Sequence, residues 1–136
     1  MSVPITGRYD AGLKTRLTHG PSGAELVTSA PRDNQGDGSS FSPTDLLAAA
    51  LGSCAVTTMA IAARRHDIPF ASAVFALEKH MRADPRRVEQ VPLQIRMPAG
   101  LDEAQRAVLE RAARECPVAL SLHPEVGKEI RFEYPD

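Results

Sequence analysis

Two cysteines are the residues of this chain best suited to covalent chemistry. Cys54 lies in a long uncharged stretch, Leu51-Gly52-Ser53-Cys54-Ala55-Val56, and Cys116 lies where a second helical segment meets a proline, Arg114-Glu115-Cys116-Pro117. They are too far apart in sequence for a local metal knuckle or a C-x-x-C redox pair. A fold that brings them together would hold one attacking and one resolving thiol. The plainer alternative is that each is a small core residue, the common state of a lone cysteine in an Ala-rich helix.

The two surroundings differ. Cys54 is too far along its helix to feel the N-terminal dipole, and burial alone makes a thiol inert. To react, it needs a cation from another part of the fold. The N-terminal segments offer Arg8, Lys14, Arg16 and Arg32. Arg16 is the first choice, because a strand position can aim a side chain at a neighbouring helix. One helical turn from Cys54 lie Ala50, Leu51, Thr57 and Thr58. That mix of apolar surface and hydroxyls suits an organic peroxide with an apolar tail. Cys116 precedes Pro117, which fits the first position of a short helix through Val118 to Leu122. A sulfur capping such a helix is stabilised as thiolate, while Glu115 beside it acts the other way.

Other chemistries find no support. His19, His66, His80 and His123 make no standard ligand spacing with one another or with the cysteines, so neither a metal nor a cofactor is expected. Gly36-Asp37-Gly38 is followed by no phosphate-loop pattern, and Gly52-Ser53-Cys54 sits mid-helix, not on a nucleophile elbow. Sixteen basic and 17 acidic residues leave a formal net charge of −1, with no electrostatic case for nucleic acid or an anionic membrane. The absence of Trp argues against base-stacking platforms. The first residues, Met1 to Arg8, show no basic segment followed by an apolar run. A reducing cytoplasm is therefore expected.

The elements that must position the cysteines follow from local patterns, and 136 residues suit a single domain spanning 1–136. Tyr9 to Thr18 and Ala24 to Thr28 read as strands of a hairpin around the turn formers Gly20-Pro21-Ser22-Gly23. Ala30 to Ser40 reads as a loop, neither strand nor helix. Ser42 as N-cap, Pro43 in the first turn and Asp45 three after the cap start a helix to about Arg65, with Phe41 and Leu46 placed for a hydrophobic staple. Asp67 and Pro69 end it. Leu46 to Ala63 carries no charge and is long enough to span a bilayer, but its Ala, Gly, Ser, Cys and Thr make it only modestly hydrophobic. A helix apolar on every side needs cover on every side. One thin sheet cannot supply it, so a homodimer is expected and a membrane is not. Phe70 to Arg82 reads as a strand, Ala83 to Arg86 as a turn, and Val91 to Met97 as a half-buried strand with Pro92 marking a bulge or an edge. Asp102 with Gln105 forms a capping-box pattern for a helix with an Ala104, Val108, Leu109, Ala112 stripe. Glu129 to Tyr134 is the last strand. The class is α+β, not a wound α/β sheet.

Two stretches carry a family resemblance. Phe41-Ser42-Pro43-Thr44-Asp45-Leu46-Leu47-Ala48-Ala49-Ala50-Leu51-Gly52-Ser53-Cys54, followed by Cys116-Pro117-Val118 and Ser121-Leu122-His123-Pro124, resembles the OsmC/Ohr family of osmotically inducible and organic hydroperoxide resistance proteins. The resemblance implies an intertwined homodimer with two long central helices packed together. It implies a peroxidase in which Cys54 attacks an organic hydroperoxide and Cys116 then forms a disulfide with it. An external dithiol, lipoyl-type or thioredoxin-type, would restore both thiols. The chain departs from the family pattern at two places. Thr44 stands where well-characterised members carry Glu, with Asp45 one position on, and Pro21 stands near the position of an activating Arg. Arg16 and Asp45 are the supporting residues expected here, in a divergent branch. The alternative function is a non-catalytic or redox-sensing dimer that binds a small apolar ligand in the same interface pocket. A purely structural dimer is the third.

Overall fold

A computed structural model describes residues 1–135 and divides the chain into two units, Met1–Leu46 and Leu47–Asp136. The first unit is an antiparallel meander of β1 (Ile5–Ala11), β2 (Lys14–His19) and β3 (Glu25–Ser29). The stretch expected as one strand, Tyr9 to Thr18, is thus two strands and a turn. Ala11, Gly12 and Leu13 all have positive φ, at 146°, 73° and 58°. Gly12 adopts this at no steric cost, which lets the chain reverse there. The 30–40 loop contains a short 3-10 turn, Arg32–Asn34, where no helix was expected. Lys14 pairs with Asp37 at 3.0 Å, and this contact holds the Asp37 carboxyl well below the usual carboxylate range. The buried residues of this unit are polar and bonded: Thr28 to Thr15, Ser29 to the Ser40 amide, and Ser42 to the Asp45 amide.

α1 (Pro43–Arg65) starts at the end of this unit, as its capping pattern requires. The Asp45 amide donates to Ser42 Oγ at 3.1 Å, and the Ser42 amide donates to an Asp45 carboxylate oxygen at 2.8 Å. This reciprocal box satisfies donors that a helix start leaves unpaired. Phe41 is 56% exposed, so the expected staple covers little of it. At the far end Asp67 takes a left-handed conformation, φ 52°, and stops the helix.

The second unit holds the core. β4 (Val74–Leu77), β7 (Leu93–Arg96) and β8 (Ile130–Glu133) form one sheet in the order β4-β7-β8, and β5 (His80–Ala83) pairs with β6 (Arg86–Gln90) in another. The strand expected over Phe70 to Arg82 is therefore two, β4 and β5, with different partners. Pro92 explains the switch. Leu77 pairs with Leu93, and the Glu78 amide donates to the Pro92 carbonyl at 3.2 Å, but Pro92 has no N–H to return. The ladder ends there and the chain turns to β6. Nor does Pro92 mark an edge: it lies just before β7, the central strand. The alternation itself holds, with Val91, Leu93, Ile95 and Met97 all buried.

β7 and β8 run parallel, joined by α2 (Glu103–Arg114) and α3 (Pro117–Ser121). α2 has the complete Asp102/Gln105 capping box. Leu51, Met59, Val91, Ile95 and Leu109 are sealed in the core, each contributing roughly 1.5–3 kcal/mol by burial. Gly52 lets β4 lie close to α1, since a Cβ there would meet Leu77 and Phe75 side-chain atoms at 2.7 and 2.8 Å. At the end of the chain the Tyr134 hydroxyl donates to Glu110, with Arg106 stacked 3.9 Å over the ring. Burial, then the Glu110 carboxylate, push the Tyr134 phenol well above its ordinary value. α1 is long and apolar enough to cross a membrane by length and composition, with a mean hydropathy of 1.9, and 33% of that window is buried inside the chain. A core helix of a globular domain passes the same test.

Candidate functional site

Both cysteines are free and both belong to the second unit. Cys116 ends the α2 segment and caps α3; Pro117 fills the first position of that helix, where a missing N–H costs nothing. Its sulfur is fully buried, at 0% exposure, among the core residues that include Leu51, Ala55 and Ala113. Cys54 is half-buried on α1 and packs against the same cluster. The two side chains lie close enough to act on each other electrostatically. Burial pushes the Cys116 thiol up, and the adjoining Cys54 sulfur pushes it further; the amides of Ala119 and Val118 oppose the rise. Cys116 therefore holds its proton at neutral pH. A second group touches Cys54: the Thr58 hydroxyl lies 3.8 Å from its sulfur.

The arrangement suits thiol–thiol chemistry. A half-exposed sulfur is open to a substrate, and a sealed sulfur beside it is protected from reacting alone. Among the described residues, no three His, Cys, Asp or Glu side chains cluster closely enough to hold a metal ion. A surface cleft of about 330 Å³ lies elsewhere in this unit, between Leu77, Pro92, Gln94 and Arg131, and neither cysteine lines it.

The chain also matches the family described as OsmC-like protein over residues 36–130, most of its length. It belongs to the OsmC-like family. Among solved structures, a Psychrobacter arcticus 273-4 protein, provisionally described as an osmotic stress induced and detoxification response protein, is 40% identical. It covers 95% of this chain and 94% of its own, with a TM-score of 0.90. The OsmC organic hydroperoxide resistance protein of Legionella pneumophila is 17% identical, covering 98% and 97%, with a TM-score of 0.75. OhrB of Bacillus subtilis, an organic hydroperoxide resistance protein, is 17% identical, covering 98% of each chain, with a TM-score of 0.70. The last two are similar in fold. No curated protein matches the chain.

In this OsmC-like chain the supporting residues named from sequence lie in the first unit. Arg16 is on β2, 3.6 Å from Glu25 on β3. Asp45 caps α1. The other N-terminal cations also have local acceptors: Arg8 pairs with Asp10 at 2.9 Å, Lys14 with Asp37, and Arg32 donates to the Asp37 carbonyl. Thr44, at the family's Glu position, shares its hydroxyl with Ser42 at 3.2 Å. From the sequence Thr58 is only one of two hydroxyls near Cys54. Its spacing of four residues on one helix was the signal that it can reach that sulfur.

Proposed function

We propose that this protein is a thiol-dependent peroxidase that reduces organic hydroperoxides to alcohols, with residues 1–136 acting as one OsmC-like domain. One observation carries the reading: two cysteines distant in sequence come together at one core, close enough to influence each other. The names of the Legionella and Bacillus relatives point to the same substrate class. The Cys54 thiolate attacks the terminal peroxide oxygen. An S–O bond forms, the O–O bond breaks, and the departing alkoxide takes a proton to leave as alcohol. The Cys116 sulfur then attacks the sulfenic acid. The S–S bond forms, the S–O bond breaks, and the thiol's proton leaves with the hydroxyl as water. An external dithiol of lipoyl or thioredoxin type, itself oxidised to a disulfide, returns both thiols. Arg16 and Asp45 remain the supporting residues proposed from the sequence.

The working form is a cytoplasmic homodimer. Leu47, Cys54 and Ile61 recur at the heptad interval on α1, and Leu47 and Ile61 remain 40% and 47% exposed. This uncovered apolar stripe supports a second helix packed beside Cys54. Cys54→Ser should abolish cumene hydroperoxide consumption with a dithiol as reductant. Cys116→Ser should leave a Cys54 sulfenic acid that dimedone traps. Turnover by Cys54→Ser at the wild-type rate would rule the mechanism out. The rival reading, a dimer that binds an apolar ligand or senses oxidant slowly, draws support from the raised Cys116 thiol. It predicts tight binding of an unreactive alcohol and no turnover.

A further inference from the structure

Cys54 Sγ has two close polar neighbours, and the peroxidase reading uses only Cys116. We propose that Thr58 is the positioning residue of the attacking sulfur: its hydroxyl donates to Cys54 Sγ and favours the charged, nucleophilic form. This deepens the reading of Cys54 as the attacking thiol and rests on it.

Geometry carries the assignment. Thr58 stands four residues after Cys54, so the two side chains share one face of α1. Its Oγ1 is 3.8 Å from the sulfur, within reach of a sulfur hydrogen bond. A thiolate has no proton to give, so in the reactive state the hydroxyl must be the donor. A hydrogen bond to an ionised acceptor is stronger than one to its neutral form, which shifts the balance toward thiolate. The β-branched side chain restricts the hydroxyl to few rotamers in a helix. Both residues are half-buried, so bulk water competes only in part. The sulfur also lies near Cys116, which burial keeps protonated. A neutral donor then faces the sulfur from its own helix, and a charged residue is not the only means of activation.

The test follows labelling of Cys54 by iodoacetamide, read by peptide mass spectrometry on the reduced full-length protein, across a pH series. Thr58→Val removes the hydroxyl with little change of shape, and Thr58→Ser keeps it. Thr58→Val should be labelled roughly fivefold more slowly near neutral pH, the effect of losing one modest hydrogen bond. The difference should vanish at alkaline pH, where the thiol is ionised in both proteins. Thr58→Ser should keep the wild-type profile. Superimposable Thr58→Val and wild-type profiles would overturn the proposal, as would equal slowing by Thr58→Ser. Should Thr58→Val fail to fold, Thr58→Ala adds no bulk and gives the same two outcomes. Labelling needs no peroxide. A wild-type protein that shows these profiles but consumes no hydroperoxide would sink the peroxidase reading and leave the role of Thr58 standing.

Discussion

α1 and α2 lie in the same core and solve opposite problems. α2 is amphipathic and completes itself within the chain. Its apolar side seals Leu109 and Ala113, and its outer side carries the one-turn pairs Arg111–Glu115 at 3.2 Å and Arg114–Glu110 at 3.4 Å. α1 carries no charge between Leu46 and Ala63. One stripe, Ala48, Leu51, Ala55, Met59 and Ala63, is buried, while Leu47 and Ile61 stay largely exposed. Cys54 stands between those two exposed residues at the same interval. A helix that leaves apolar surface uncovered beside Cys54 offers the kind of patch that marks an interaction surface, as the proposed dimer requires. A helix that pairs its own charges is built to face water.

The sharpest way to break this contrast is a charge on the uncovered stripe. Ile61→Asp should turn a dimer into a monomer at micromolar concentration by analytical ultracentrifugation, because burying an unpaired carboxylate at an interface costs several kcal/mol. Arg111→Ala, on the water-facing side of α2, should leave the mass unchanged. An Ile61→Asp protein that stays dimeric would remove the distinction.

The buried side of α2 gives the next largest effect. Leu109 is 0% exposed, so Leu109→Ala should lower unfolding stability by about 2–5 kcal/mol in a urea titration. A loss well under 1 kcal/mol would mean that the site collapses freely and that α2 is less anchored than its burial indicates.

Cys116 offers a pH-dependent test. Burial raises its thiol above the ordinary value of 9.0, so the folded state holds this proton more tightly than the unfolded chain. The contribution is complete below the unfolded value and fades as pH rises through and beyond 9.0. Reduced wild-type protein should therefore lose stability from that point upward more steeply than Cys116→Ala. Parallel slopes would show that the thiol titrates alike in both states. The smallest effect belongs to the α2 cap: Asp102→Ala should cost about 1 kcal/mol, read as a modest fall in the urea midpoint. Both capping-box bonds form there, so a neutral result would be a surprise about the cap and not about the core.

Much of this was legible in the sequence because it is local. The α1 box of Ser42 and Asp45, the α2 box of Asp102 and Gln105, and the Cys116-Pro117 break each depend on residues within a few positions of one another. The alternation from Val91 to Met97 predicted burial correctly even across the gap before β7. The misreadings concern pairing. Phe70 to Arg82 looks like one extended run, and only the partner strand, ending at a proline without an N–H, shows that it must split in two. Tyr9 to Thr18 hid a reversal because one glycine among strand formers is a weak turn signal beside Gly20-Pro21-Ser22-Gly23.

The residue types of the site were determined by the sequence alone: two cysteines, each with a local setting that suits thiol chemistry. Their meeting was decided by tertiary structure. The packing of the α2–α3 junction against α1 fixes which sulfur is sealed and which stays half open. No local rule contains that information, because it depends on contacts between residues distant in the chain.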